Sequence, residues 1–453
     1  MKLWVLTEER PKKNVLRLIL ERYCADNRSQ ISFSGLLIKP EISNNRFSFT
    51  YQVSGFASPL IQEITIKLVS GNQSFVDFLV FAQDAEPAAN SEPIYAIEET
   101  KTTDEESRNT GVYQRGSKFV YIDLFYPNVK KIMLYNYQVP HSPSHSTDTN
   151  IFGTRMLLTL GVEIIGRNLD PNTFKPFTSV DELISFKNSM RRPPRGNTPI
   201  LINKSSSLIT VSGRLDKPQA PHTIIHDPNM GALSLILKSI RKLGWTNNMS
   251  VTQHNINQRG VRANKFVAIL NLLHVGMDGL TIPQNIPSQT YWYYENSSEK
   301  IATIFTHLIC ESLPGTECIY ENHAGCERGY FKKADGTFVA LPKKDSNDEP
   351  LRIPDLIVCN HTIKEILLIE GKKIRNLQNG LDELNNYDPI ENEWINPQYP
   401  EYQIKRYVVI FGGSSNITNI DKLALVLSDR GDIFTSQNTP QTIHNALAAL
   451  RTA

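Results

Sequence analysis

The stretch RIPDLIVCNHTIKEILLIEGKKIRN, residues 352–376, constrains the chain more than any other, because it is apolar enough for a buried pair of strands yet carries Asp355, Glu370 and Lys372. Side chains of an extended strand alternate faces, so in KEILLIEGK the residues Ile366, Leu368, Glu370 and Lys372 share one side, and the last two project beyond the apolar part. Asp355 precedes Glu370 by fifteen positions (370 − 355), which suits two adjacent strands joined by a turn around Asn360 and His361. Two carboxylates are thereby brought together. Alone they repel and shift each other's pKa, whereas a hard divalent cation such as Mg2+ takes oxygen ligands and reverses that cost. Lys372 then stands where it neutralises charge on a phosphate or orients a metal-activated water. The constellation suits phosphodiester hydrolysis.

A chain of 453 residues is long for one core and implies two or three domains. The balance of 48 Lys and Arg against 46 Asp and Glu produces no global field, so any nucleic-acid surface must be local. The N-terminal MKLWVLTEERPKKNVLRLIL lacks an uninterrupted apolar h-region, and no later segment has the eighteen or so apolar residues of a membrane span. The expectation is a soluble, cytoplasmic protein with no membrane partner. Five cysteines (24, 310, 318, 326 and 359) suit a reducing compartment and not a disulfide framework. Cys318, His323 and Cys326 lie close together, with Cys310 and Cys359 as possible further ligands, and thiolate plus imidazole is what zinc wants. No paired C-x2-C knuckle accompanies them, so free, mostly buried thiols are expected.

Punctuation divides the chain. VPHSPSHSTDTN (139–150) reads as a linker, and TIPQNIPSQTYWYYENSSE (281–299) as a second break before a helical pattern resumes at Lys300. The expected segments are 1–138, 151–285 and 290–453. In the last of these, EKIATIFTHLICESL places Ile301, Ile304, Phe305, Leu308 and Ile309 on one helical face. ECIYENH, TFVALP, IPDLIV and KEILLIEGK follow as strands, NLQNGLDELNNY as a helix, and RYVVIFGG as a strand apolar enough to be central.

Pro354-Asp355 followed by Glu370-Gly371-Lys372, in this helix, strands, helix, strand order, resembles the PD-(D/E)XK nuclease superfamily, which includes many type II restriction endonucleases. The N-terminal segment repeats the arrangement. VLRLILERY is a helical run; ISFSGLLI, RFSFTYQV and QEITIKLV alternate as strands; SFVDFLVF carries Asp77; and EPIYAIEETK places Glu99 and Lys101 on one face. A helix through DEESRNTGVYQRGSKFVYI and a strand KKIMLYNY complete it. This copy lacks a Pro before Asp77 and has a longer intervening loop. The fold class implied is α/β, with two restriction-endonuclease-like domains, each a mixed sheet flanked by helices, around a mixed middle region.

The resemblance implies a Mg2+-dependent, site-specific endonuclease acting on double-stranded DNA, with Asp355, Glu370 and Lys372, and Asp77, Glu99 and Lys101, as catalytic residues and the four acids as metal ligands. Glu21 and Glu311 are weaker candidates to complete the metal sites, and Gln114, Arg115 and Gln378 to approach the scissile strand. In the middle region Leu233, Ile236, Leu237 and Ile240 form a buried helical stripe, leaving Lys238, Arg241 and Lys242 outward. RRPPRGN supplies Arg191, Arg192 and Arg195, and TQHNINQRGVRANK supplies Arg259. Cations of this kind suit phosphate contact, and amides and Arg suit base edges. Two catalytic sites in one chain would let a monomer address both strands; one active site with a degenerate second copy would need a homodimer or sequential nicking. A DNA-binding or regulatory protein without catalysis is the alternative of another class.

Overall fold

The computed structural model describes residues 1–71, 75–101, 111–137, 146–190, 200–214, 216–217, 220–225, 227–254, 261–277, 290–294, 298–322 and 329–451. It is a mixed α/β protein with several sheets, and among the described residues no helix is long and apolar enough to cross a membrane. The chain groups into two compact units of discontinuous sequence. The first holds residues 1–70, 82–87 and 294–453, and the second holds 71–81 and 88–293, a division that cuts across the three consecutive segments expected from punctuation.

The first unit opens with β1 (Lys2–Thr7), α1 (Lys13–Asp26), β2 (Ser32–Ser43), β3 (Arg46–Ala57) and β4 (Glu63–Gly71), whose strands lie in the order β2-β3-β4-β1. β2, β3 and β4 are antiparallel neighbours, and β1 runs parallel to β4. α1 forms because Val15, Leu16, Ile19, Leu20, Tyr23 and Cys24 recur at helical spacing, and all six are buried.

In the second unit β5 (Phe78–Ala82) and β6 (Tyr95–Thr100) form an antiparallel pair. α2 (Gly111–Tyr121) then carries the chain to β7 (Lys130–Tyr135), parallel to β6, and α3 (Asp148–Thr159) carries it to β8 (Glu163–Ile165), parallel to β7. Parallel neighbours need such crossovers. The Thr147 hydroxyl accepts from the Asn150 N–H, so the last residues of the expected linker are a capped helix start; residues 138–145 lie outside the described residues. After α4 (Val180–Ser189) come β9 (Leu201–Lys204), β10 (Leu208–Arg214), α5 (Asp227–Lys242), β11 (Asn248–His254), α6 (Val261–Leu272) and β12 (Val275–Met277), with strand order β12-β11-β10-β9. Leu233, Ile236, Leu237 and Ile240 are fully buried, as the stripe on α5 predicts.

The first unit resumes with α7 (Lys300–Glu311), which begins where the helical pattern does and buries Ile301, Ile304, Phe305, Leu308 and Ile309. Its sheet comprises β13 (Thr316–Glu321), β14 (Leu356–Asn360), β15 (Glu365–Lys373), β16 (Gln403–Phe411), β17 (Leu423–Leu427) and β18 (Ile433–Phe434), paired in that order. The first three are antiparallel, whereas β15, β16 and β17 are parallel. α8 (Leu377–Glu383) lies between β15 and β16 in sequence, and α9 (Gln441–Arg451) closes the unit. One core collects Ile357, Cys359, Ile366, Leu368, Val408 and Ile410 from the sheet with Leu384, Tyr387 and Ile390.

Candidate active site

The hairpin of β14 and β15 positions the first group of functional side chains. Asn360 Oδ1 accepts from the Thr362 N–H at 3.0 Å, and Lys364 takes the left-handed conformation (φ 51°), so the chain reverses within four residues. Leu356 then pairs with Ile369, and one step further Asp355 stands opposite Glu370. Asp355 Oδ2 accepts from the Gly371 N–H at 3.0 Å. A Cβ at Gly371 would lie 2.3 Å from Thr303 Cγ2 on α7, so only glycine lets the acid and the helix close on this strand.

Glu370 is buried and fully engaged. Lys372 Nζ donates to its Oε1 at 2.6 Å, and the Tyr387 hydroxyl donates to its Oε2 at 2.5 Å. Lys372 also pairs with Glu383 Oε2 at 2.8 Å. Burial pushes Asp355 up to about 6 against the Gly371 hydrogen bond and Lys372, and the charges of Glu299 and Glu383 add to the rise. Burial and then the Asp355 charge push Glu370 up to about 8. Burial alone would depress Lys372, but its hydrogen bonds to Glu370 and Glu383 outweigh it and the ammonium is stabilised. Arg352 acts on Glu383, so Asp355, Glu370, Glu299 and Glu383 face two cations, Lys372 and Arg352. Among the described residues, these four carboxylates, fully ionised, against two cations leave an excess of two negative charges.

The second unit places its acids differently from the sequence expectation. Phe78 pairs with Ile97, so Asp77, one residue before β5, stands opposite Glu98 and not Glu99. The cation comes from α2: Lys118 Nζ lies 2.7 Å from Glu98 Oε1 and 3.5 Å from Asp77 Oδ1, and Arg115 Nε lies 3.9 Å from Glu98 Oε1. Asp77 Oδ2 accepts from the Glu99 N–H at 2.6 Å, the same contact that Asp355 makes with Gly371. Glu98 is therefore the counterpart of Glu370. Burial and the Asp77 charge push it up to about 8, with Lys118 and Arg115 opposing. Glu99 and Lys101 do share a face by alternation, but it is the face away from Asp77, and Glu99 Oε1 accepts from Asn136 Nδ2 at 2.7 Å. Lys101 lies one residue past β6. Among the described residues, the ion pairs here join two acids, Asp77 and Glu98, to two cations, Lys118 and Arg115.

The remaining candidates fall elsewhere. Glu21 pairs with Arg17 on the exposed face of α1, and Glu311 sits with His307 and Arg10. Gln114 is exposed, and so is Gln378, which donates to Asp382. Arg241 is a brace and not an outward cation, since its guanidinium donates to the carbonyls of Leu273, Trp245, Asn247 and His274 at 2.7–3.1 Å. Lys238 pairs with Asp123 at 2.8 Å, and Lys242 is exposed. Arg191, Arg192, Arg195, Arg259, His323 and Cys326 lie outside the described residues.

Sequence reasoning missed Glu98, Lys118, Glu383 and Tyr387. Adjacent acids at 98 and 99 hide which one faces Asp77, and the other three arrive from helices and turns whose approach to the strands has no local signature. Comparison of the chain with family models, with curated proteins and with solved structures returns no match.

Proposed function

We propose that the chain is a Mg2+-dependent endonuclease of restriction type, hydrolysing phosphodiester bonds of double-stranded DNA at the Asp355, Glu370 and Lys372 centre. The observation that carries this reading is the facing pair of Asp355 and Glu370, both raised in pKa within a group where carboxylates outnumber cations by two. Hard oxygen donors with that excess charge are what Mg2+ takes. Bound there, the ion supplies charge neutralisation and a water acidic enough to attack at neutral pH. The side chains of the protein supply the rest. Gly371 and Tyr387 fix one oxygen each of Asp355 and Glu370, so the pair is preorganised. Lys372, braced between Glu370 and Glu383, holds its ammonium where negative charge grows on the phosphate during attack.

An antiparallel strand pair followed by a helix and a parallel strand occurs in both units, which supports the resemblance to the PD-(D/E)XK superfamily and a restriction-endonuclease-like core in each. The balanced charges around Glu98 favour one catalytic centre per chain, with the Asp77 group a self-neutralised copy. Cutting both strands then takes a second copy of the chain or a second encounter.

Supercoiled-plasmid digestion with Mg2+ tests the reading, comparing the parent with Lys372→Ala and Lys101→Ala. Lys372→Ala should lose about 10²–10³-fold in nicking rate, and Lys101→Ala should cut as the parent does. A parent that leaves diverse plasmids intact overturns it and favours a DNA-binding protein without catalysis, whereas a Lys372→Ala variant of undiminished rate overturns the assignment of catalysis to this centre.

A further inference from the structure

A second group of ligand-type side chains lies in the first unit, apart from the Asp355 centre. His307 and Glu311 are one helical turn apart on α7, hence on one face. The next strand, β13, carries a register irregularity between Cys318 and Tyr320 where it pairs with β14. Such a bulge re-aims side chains. Without it Cys318 and Glu321, three residues apart, would point to opposite faces; with it Cys318 reaches His307 and Glu311, and Glu321 reaches His307.

The contacts have an order. Arg10 holds Glu321 through two hydrogen bonds, Nε to Oε2 at 2.5 Å and a second guanidinium nitrogen to Oε1 at 3.0 Å. Glu321 Oε2 lies 3.4 Å from His307 Nδ1. His307 Nε2 lies 3.2 Å from Glu311 Oε1, a hydrogen bond when that nitrogen carries the proton; with the proton on Nδ1, facing Glu321, the Nε2 lone pair is the one offered to a metal. Glu311 Oε2 is buried with no hydrogen-bond partner; Arg10 and Lys13 approach it only to 3.5 and 3.9 Å. The ligand atoms of His307, Glu311 and Cys318 all lie within 4.8 Å of one another.

We propose that His307, Glu311 and Cys318 form a three-ligand site for a borderline-soft divalent ion of the zinc class, with Glu321 and Arg10 orienting the histidine. Imidazole, thiolate and carboxylate are zinc's ligands, and a carboxylate behind the histidine is the usual support. Zinc bonds of about 2.0–2.3 Å at tetrahedral angles put ligand atoms about 3.3–3.8 Å apart, so the nitrogen–oxygen pair is already in place and the sulfur has at most about an ångström to close. Binding replaces the S–H bond by a metal–sulfur bond and releases one proton to solvent. With the thiolate formed, Cys318, Glu311 and Glu321 balance Arg10 and the divalent ion; Lys13 is more than a third exposed and stays solvated. The ion would tie α7 to β13, whose end residue Glu321 precedes Asn322, the donor to the Asp355 carbonyl at 2.8 Å.

The test uses the full chain and Co2+ as a spectroscopic substitute, so it does not depend on nuclease activity. About one Co2+ per chain should bind with a sulfur-to-cobalt charge-transfer band. Cys318→Ser should abolish the band while circular dichroism stays that of the parent, and Cys359→Ala should keep it. Glu321→Gln, which retains all three ligands, should weaken Co2+ binding about 10–100-fold. A folded parent without the band, or a band that survives Cys318→Ser, overturns the proposal.

Discussion

Glu370 is the residue on which the candidate site turns, because it is held on both oxygens and still raised to about 8. With Asp355 at about 6, both carboxyls bind protons more tightly in the folded chain than in the unfolded one. The folded state therefore carries the extra protons, and stability falls as pH rises. Without metal, this contribution is fully present below the ordinary carboxylate range and is lost as pH rises through about 6 and then about 8. Glu98, also raised to about 8, adds a background of the same sign. Mg2+ competes with the protons on Asp355 and Glu370, so its stabilising effect should grow with pH across that window. Thermal unfolding with Mg2+ or a chelator measures this; a Mg2+ increment in Tm that is flat with pH, or that persists in Glu370→Gln, counts against the site. Asp355, Glu370 and Lys372 were legible in the sequence because a tight hairpin leaves one register. Asp77 was half legible: twelve residues, 83–94, join β5 to β6, and a connection of that length leaves the parity of Glu98 against Glu99 open.

At the scale of elements, helix and strand types follow from periodicity, and α7, β14, β15 and β16 lie where the apolar patterns put them. What periodicity does not show is how a charged side chain at a helix end is used. Arg241 sits in the last turn of α5, where a cation outward to phosphate and a cation turned back onto carbonyls have the same sequence. In the fold it closes the turn after α5 and the end of α6 through four main-chain acceptors. Arg241→Ala should therefore lower stability by about 2–3 kcal/mol, read from the denaturant midpoint. Arg241→Lys should rescue little, since an ammonium cannot replace the planar fork. A DNA-contact role predicts the reverse pattern: unchanged stability, with a weaker salt dependence of DNA binding.

At the scale of the whole molecule, the order of elements suggested a C-terminal domain complete in itself, yet the first unit joins residues 1–70 to 294–453. Contacts between segments so far apart leave no local trace in either. Phe47 of β3 is fully buried with its ring 4.9 Å from that of Phe305 on α7. Its N–H donates to the Gly431 carbonyl at 2.8 Å, and Gly431 (φ 88°) passes so close that a Cβ would lie 2.0 Å from the Phe47 carbonyl oxygen. The Ile433 N–H donates to Asn45, and Arg10 supplies the positive charge that Glu311 and Glu321 need. A fragment of residues 290–453 would thus expose an apolar face of α7 and leave two carboxylates without their guanidinium, a cost of several kcal/mol against a total stability of about 5–15 kcal/mol. It should show no cooperative thermal transition and should bind a hydrophobic dye, whereas the full chain should melt cooperatively and leave the dye unbound. In the full chain Phe47→Ala should cost about 3–5 kcal/mol and, by hydrogen exchange, loosen α7 and β17 before α5. A fragment that melts cooperatively, or a Phe47→Ala chain with unchanged protection in α7, would show that the C-terminal elements fold without the N-terminal strands.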